Sequence, residues 1–476
     1  MKLNKATSPA GHSRRVADVV LAMVPAAMLG VLMLRAIWDV DIFWQLKLGE
    51  MILAKGGPIL REPFAATHLG EPLPTIAWLG QAVFALVRQW GGWTGLRLFD
   101  ALCWCGGFWL VAAACRARGA SAASVISALA LAFLVAWSAA SVRPQSFGVL
   151  CFGALLALLK LNWRLLPTLC LAVPLLVVWQ NLHPSVSIAI VALGAYSVGG
   201  WTAWWRDRSL GQPLAATILV PIAVMSLFAT PDGFGTLAVS ARNAQASMAV
   251  GASEWLPLWV SSNTINAVPV IVVTLLTLRW VSRDPSRVSW ADAATALVLL
   301  LLTISAYRFV LFFAVAIVPV VATSSGIPTE KSRVRWWALL ALIVVALAMP
   351  WLRPTHFSKN LPLAAVARLE RTLVRGTIFT EPEFAGLLID NGYPRWRVSY
   401  DGRYYRYSDD EWGRYGQILD GSFGLKAIER LYRPAAFVLR PSHSMALSAA
   451  LDRPGSGWRR IWSDEGAAVW IPAHSS

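Results

Sequence analysis

Apolar runs recur along this chain at lengths of roughly 17–25 residues, each long enough to cross a bilayer core of about 30 Å. No other property limits its folding as strongly, because backbone inside hydrocarbon must satisfy its own hydrogen bonds and so forms helices. Spanning helices are expected near 16–36, 94–114, 121–141, 145–160, 165–182, 185–203, 213–230, 265–281, 289–305, 308–324 and 336–352, about eleven in all. The composition agrees: 57% of residues are hydrophobic and 14% charged, against about 25% charged in soluble domains. The first run, Val16–Ala36, follows Arg14 and Arg15, is too long for a signal-peptide core and lacks a clean cleavage site, so it reads as a retained helix. The shorter stretch 76–90 is amphipathic and reads as a helix in the interface. Cys103, Cys105, Cys115, Cys151 and Cys170 lie in or beside apolar runs without pairing or metal spacing, and read as small core residues.

The net charge of +16 fits cytoplasmic loops held inside by Lys and Arg better than a nucleic-acid partner. Lys2, Lys5, Arg14 and Arg15 put the N-terminus inside. Every second connection is then basic: Arg116 and Arg118; Lys160 and Arg164; Arg206 and Arg208; Arg279, Arg283 and Arg287; Lys331, Arg333 and Arg335. An odd number of spans leaves the C-terminus outside. Past Arg353 the apolar runs stop, and residues 356–476 alternate β-rich pieces (377–379, 397–400, 436–439) with helical ones (409–418, 423–431). The expected organisation is an all-α polytopic membrane domain over 1–355, with a first outer loop at 38–93, and a small extracytoplasmic α/β domain over 356–476. No internal repeat is evident, which weakens an inverted-repeat transporter.

This topology sorts the conspicuous polar residues onto the outer side. The first outer loop carries Asp39, Asp41, Gln45, Lys47, Glu50, Glu62 and His68; later outer turns carry Arg143 and Gln145, Asn181 and His183, Asp232 and Glu254, and Arg308. Each has a plain structural use. Asp39 and Asp41 suit an interface, Arg143 and Arg308 can snorkel to headgroups, His183 precedes a proline in a turn, and Glu254 can cap a short helix. Their collection on one face favours function, since ionisable groups at membrane depth are expensive. Carboxylates there can hold a divalent cation, Mg2+ or Mn2+, or act as a general base. Arginines beside them suit a phosphate through forked, charge-assisted hydrogen bonds. A lipid-linked phospho-sugar would use both.

The run DVDIFWQLKLGEMILAKGGPILREPFAATHLGEPLPTIAWLGQ resembles the first outer loop of bacterial C-type (GT-C) glycosyltransferases, multi-spanning enzymes that use polyprenyl-phosphate-linked sugars. Members there read Asp-Pro-Asp, two large residues and His-Leu, Gly-Glu, then Ile-Pro-x-x-Asp-Pro-Phe and later Glu-Trp-Leu. Further matches are RPQSF at 143–147, NLHPS at 181–185, TPDGFG at 230–235, EWLP at 254–257 and YRFVLFF at 307–313. The tail, FTEPEFAGLLIDNGYPRWRVSYDGRYYRY, is distantly similar to the soluble domain of the oligosaccharyltransferase catalytic subunit.

The resemblance implies that Asp39 and Asp41 supply the base or a cation ligand. It makes Arg143 and Arg308 contacts of the lipid phosphate, and gives Asp401 and Arg403 to the acceptor side or to docking of the outer domain. Lys47, Glu62, His68, Gln145, Asn181, His183 and Glu254 join them as substrate-binding candidates. Gln45 stands where the family has His, Glu62 where it has Asp, and Ala77 where it has Glu. The implied activity is inverting transfer from a polyprenyl-phosphate sugar to a glycan, lipid or protein acceptor on the outer face of a bacterial inner membrane, with membrane lipid around it. The rivals are a flippase for a lipid-linked glycan and a non-catalytic relative in cell-envelope polysaccharide assembly. Trp396, Tyr400, Tyr404 and Tyr405 either stack on sugar, pack the tail's core or rest at the interface.

Overall fold

The computed structural model describes residues 9–322 and 334–473. Lys2, Lys5, Lys331 and Arg333 lie outside the described residues, as do the side chains of Arg14, Arg15 and Arg335. The helices run in order α1 (Pro9–Leu32), α2 (Asp41–Lys55), α3 (Trp78–Ala117), α4 (Ala122–Ala136), α5 (Gln145–Leu161), α6 (Leu165–Leu182), α7 (Val186–Arg206) and α8 (Leu214–Ser226). They continue as α9 (Gly235–Ala249), α10 (Thr264–Arg283), α11 (Trp290–Ser305), α12 (Val310–Val321) and α13 (Val334–Leu352). Each of the eleven expected apolar segments contains a helix among the described residues. Among the described residues, five stretches are long and apolar enough to cross a membrane: Trp78–Ala117, Ala122–Ala139, Leu165–Leu182, Val186–Arg206 and Ser261–Arg283; six further apolar helices are 10–17 residues long.

The chain divides into two compact units. One comprises 1–35, 91–230 and 252–355; the other gathers 36–90, 231–251 and 356–476. The first loop therefore clusters with the tail, although more than 260 residues separate them in sequence; so does α9.

In the helical unit α12 lies at the centre. All twelve of its residues are buried, as a helix apolar on every side must be when protein surrounds it. By contrast α10 exposes Ile265, Ile271, Leu275 and Leu278, the pattern of a helix whose outer face meets lipid. Close crossings are made by glycine. A Cβ on Gly153 of α5 would stand 2.1 Å from the Gly107 carbonyl oxygen of α3, and one on Gly199 of α7 would stand 2.4 Å from the Trp290 carbonyl oxygen. Small residues at helix crossings are how apolar helices gain contact where no water is available to drive association. Helix ends follow local rules: Ser121 accepts the Ser124 N–H and Ser289 the Asp292 N–H.

The second unit is built on a sheet of β1 (Gly376–Thr380), β2 (Trp396–Val398), β3 (Pro434–Leu439), β4 (Trp458–Ser463) and β5 (Ala468–Pro472), in the order β2-β1-β3-β5-β4. β1 is parallel to β2 and β3, and β5 is antiparallel to β3 and β4. The parallel pair β1–β2 requires a crossover, supplied by α15 (Pro382–Gly392), which follows α14 (Leu363–Glu370). Next come α16 (Asp409–Asp420), α17 (Leu425–Tyr432) and α18 (Met445–Asp452). The three expected strands and two expected helices are present; β4 and β5 were not foreseen.

Residues 38–93 are mostly helical rather than loop. α2 begins at Asp41, and the segment expected in the interface is the start of α3, whose helical geometry breaks at Gly92, φ 59°. α2 packs so tightly on it that a Cβ on Gly49 would stand 2.1 Å from the Gln81 carbonyl oxygen. Between these helices the chain lies along the sheet edge, where the Val398 N–H donates to the Phe64 carbonyl at 3.0 Å and so covers strand β2. Trp396 and Tyr400 are buried, which settles them as core residues.

Candidate functional site

The thirteen predicted site residues divide between the two units. Asp39, Asp41, Lys47, Glu62, His68, Asp401 and Arg403 belong to the sheet-containing unit; Arg143, Gln145, Asn181, His183, Glu254 and Arg308 belong to the helical one.

In the first group most side chains are committed to architecture. Arg403 is 1% exposed and forks onto Glu62 at 2.7 and 2.8 Å, while also holding Asp401 at 2.6 and 3.0 Å. Glu62 accepts the N–H groups of Phe64 and Ala65 at 2.8 and 2.9 Å. Burial works against charge on Glu62, but Arg403 outweighs it and its pKa ends below the ordinary value. Two carboxylates on one guanidinium leave an excess negative charge, and the Arg406 side chain approaches Glu62 at 3.4 Å. The Asp-Gly-Arg motif is thus a buried clasp that ties residue 62 to residues 401–406. His68 bridges Glu71 and Glu411, each at 2.9 Å. Lys47 pairs with Glu50 at 2.7 Å, and Arg88 joins Glu50 to Asp390.

The two leading aspartates differ. Asp39 is 3% exposed, and its Oδ1 accepts the Asp41 N–H at 3.0 Å, fixing the entry to α2. Asp41 is half-buried and accepts the Trp44 indole N–H at 2.9 Å. Gly402 lies close beside it: a Cβ there would stand 2.4 Å from the Asp41 Oδ1, so a side chain would push the carboxylate aside. As a cation site the pair is poor. Each carboxylate already accepts a protein N–H, and among the described residues no three His, Cys, Asp or Glu converge on a position fit for a metal. Mg2+ or Mn2+ would need several more oxygen ligands.

The second group does converge. Four connections of the helical unit, those that precede α5, α7, α10 and α12, bring Arg143, Gln145, His183, Glu254 and Arg308 into one cluster. Arg143 donates to Gln145 at 2.8 Å and to Glu254 at 2.9 Å. Arg308 lies 3.7 Å from the other oxygen of Glu254 and stacks on Trp255 with its guanidinium carbon 3.6 Å from the ring centre. It makes no hydrogen bond among the described residues. A stacked guanidinium with its donors unused is preorganised for an anion. Partial burial raises the Glu254 pKa, but the two arginines overcome it and hold it at about 2. Burial and then the same arginines push His183 down to about 3, so its imidazole is neutral. With Glu254 ionised, two guanidinium charges face one carboxylate, a net charge of about +1. Asn181 stands apart in role: its amide donates to the Val177 and Ala229 carbonyls.

Sequence reasoning missed Trp255, Trp179 and Ser185. Trp255 was legible only as the neighbour of Glu254. Trp179 and Ser185 look like helix filler and turn residue until the fold sets them beside His183, where the Trp179 indole donates to Ser185 Oγ at 2.8 Å and Ser185 Oγ lies 2.9 Å from His183 Nδ1. Also unforeseen was the buried Arg35–Asp100 pair at 3.0 Å, with Arg97 reaching the Arg353 carbonyl.

No protein-family profile matches this chain, and no curated protein matches it by sequence. Solved structures do match in three dimensions. The Archaeoglobus fulgidus oligosaccharyltransferase, tethered with an acceptor peptide containing the NVT sequon, superposes with TM-score 0.53 at 11% identity, over 96% of this chain and 74% of that one. ArnT from Cupriavidus metallidurans in the apo state superposes with TM-score 0.50 at 15% identity, over 97% of this chain and 98% of that one. ArnT bound to undecaprenyl phosphate gives TM-score 0.51 at 13% identity, over 98% of this chain and 99% of that one. At these identities the likeness is one of fold, and it runs through nearly the whole chain. The chain therefore has the fold of the GT-C membrane glycosyltransferases, which it shares with an archaeal oligosaccharyltransferase and with ArnT.

Proposed function

We propose that this chain is a membrane glycosyltransferase that takes a sugar from a polyprenyl-phosphate donor and passes it to an acceptor, a glycan, lipid or protein, on the outer face of a bacterial inner membrane. The observation that carries the reading is Arg308: a guanidinium seated on Trp255, 3.7 Å from Glu254 and with no hydrogen bond among the described residues. Arg143 and Gln145 extend the same polar face. Such a cluster suits the phosphate of a lipid whose tail lies among apolar helices.

In the proposed reaction the acceptor atom bonds to the anomeric carbon from the side opposite the phosphate. The carbon–oxygen bond to phosphate breaks, its electron pair stays on the phosphate oxygen, and the acceptor's proton passes to a carboxylate. Arg308 and Arg143 take up the charge that grows on the departing phosphate, a role worth about 2.7–4 kcal/mol for a well-placed donor. Asp41 fits the base better than Asp39, because Asp39 is 3% exposed and spent on the helix entry. No step runs through a cation. We expect that EDTA leaves transfer by washed membranes intact, and its abolition with recovery on adding Mn2+ would overturn that.

The deciding measurement is binding of undecaprenyl phosphate to purified protein beside a mass-spectrometric transfer assay. Arg308→Ala should weaken binding at least about tenfold, and Arg308→Lys should restore only part, since an ammonium lacks the planar fork. Asp41→Asn should abolish transfer while binding persists. Unchanged binding in both Arg308 variants would defeat the phosphate assignment, and full transfer in Asp41→Asn would remove the base. Binding with no turnover in the wild type would favour the non-catalytic relative, a reading that the Ala77 and Gln45 departures keep in view.

A further inference from the structure

Beside the arginine pair lies a hydrogen-bond chain that nothing above employs. The Trp179 indole N–H can only donate, and it donates to Ser185 Oγ at 2.8 Å. Ser185 Oγ is also 2.9 Å from His183 Nδ1, and Ser185 has no other partner for its own hydrogen among the described residues. The arrangement in which every group is satisfied has the Ser185 hydroxyl donating to Nδ1, which places the imidazole hydrogen on the opposite nitrogen.

The site is built to hold this chain. Trp179 is fully buried and Ser185 is 6% exposed. Gly148 of α5 faces them with no side chain: a Cβ there would stand 2.9 Å from Ser185 Oγ and 3.4 Å from His183 Nδ1. His183 Nε2 makes no hydrogen bond among the described residues.

We infer that His183 is a fixed hydrogen-bond donor through Nε2–H, oriented by Ser185 and Trp179, and that its acceptor is an oxygen of the phosphate held by Arg143 and Arg308. The inference rests on the function proposed above and adds to it. His183 is neither a base nor a metal ligand here, since its Nδ1 is occupied and a base would need Nε2 bare. Because burial, and then both arginines, disfavour a positive imidazole, the ring supplies a donor without adding charge. Ser185 and Trp179 are positioning residues.

Two measurements on the full-length chain test this. Nitrogen-15 NMR of histidine-labelled, ligand-free protein, with the His183 signals assigned by their loss in His183→Gln, should show the Nε2–H tautomer in the wild type and a mixture in Ser185→Ala. The wild-type spectrum does not depend on any variant folding. Titration with undecaprenyl phosphate should then give an affinity within about threefold of wild type for His183→Gln, whose amide can donate from a similar position, and about tenfold weaker for His183→Leu. An Nδ1–H spectrum with binding intact overturns the donor assignment alone, as does equal affinity in His183→Leu. A wild type that shows the Nε2–H spectrum but binds no undecaprenyl phosphate overturns the phosphate role together with the proposed function.

Discussion

Arg403, which the resemblance gives to the acceptor side or to docking of the outer domain, is buried within the sheet-containing unit. Its guanidinium is satisfied by two buried carboxylates, so removing it strands both. Arg403→Met should destabilise the sheet-containing unit by about 3–5 kcal/mol, the usual loss when one partner of a buried ion pair is deleted. Loss of that unit's thermal transition, with Glu62→Gln and Asp401→Asn showing smaller shifts, would be the signature; an unchanged melting temperature would refute the clasp. His68 offers a second residue-level test. Its hydrogen bond to Glu411 raises its pKa above the ordinary value against the effect of burial, with Glu71 helping, while Glu411 is held at about 2. A raised histidine pKa stabilises fully below the unfolded-state value and is lost as pH climbs through the folded one. In thermal melts, wild type should therefore be more stable than His68→Gln at about pH 6, by up to about 1 kcal/mol, and the gap should narrow as pH rises above the ordinary histidine range. From the sequence neither residue could be told from a substrate contact, because charge and motif are local facts and the partner of Arg403 lies 341 residues away.

Among the elements, the apolar helices were the most legible, since each carries its own evidence in length and composition. Those of the first outer loop were not. α2 has 15 residues and mixes charged with apolar side chains, so the DIFWQLKLGEMILAK stretch reads as part of a connection beside the long apolar runs. α9 was missed for the same reason: GTLAVSARNAQASMA has weak periodicity. Strand β5 pairs with β3 and β4, and β4 with β5 alone among the described residues; a strand's partners are not written within it. What holds these elements together is often the absence of a side chain. Gly153→Val should disrupt the α3–α5 crossing, because a Cβ already stands 2.1 Å from a backbone oxygen that cannot yield. Gly91→Ala, at a position where nothing lies within 4 Å, is the control that should leave detergent-solubilised stability unchanged.

For the whole molecule the decisive quantity is sidedness. An odd number of crossings would place the N-terminus and the tail on opposite faces, with Asp39, Asp41 and the tail on the same one. Single cysteines at Ser209, in a basic connection, and at Ser422, in the tail, are exposed positions. In a background lacking the native cysteines, a membrane-impermeant maleimide added to spheroplasts should label the second and spare the first. Labelling in the reverse sense would remove the outer-face reading altogether.

By itself the sequence determined that this chain is helical in an apolar medium, roughly where each apolar helix runs, and that a small α/β tail follows, because hydrophobic length and periodicity act locally. Tertiary structure alone decided which polar residues meet. It drew Arg143, His183, Glu254 and Arg308 together from four connections, and it withdrew Glu62, Asp401 and Arg403 into a buried clasp. The physical reason is that an ionisable group's role is set by the charges and donors within a few ångströms of it, and those arrive from segments far away along the chain.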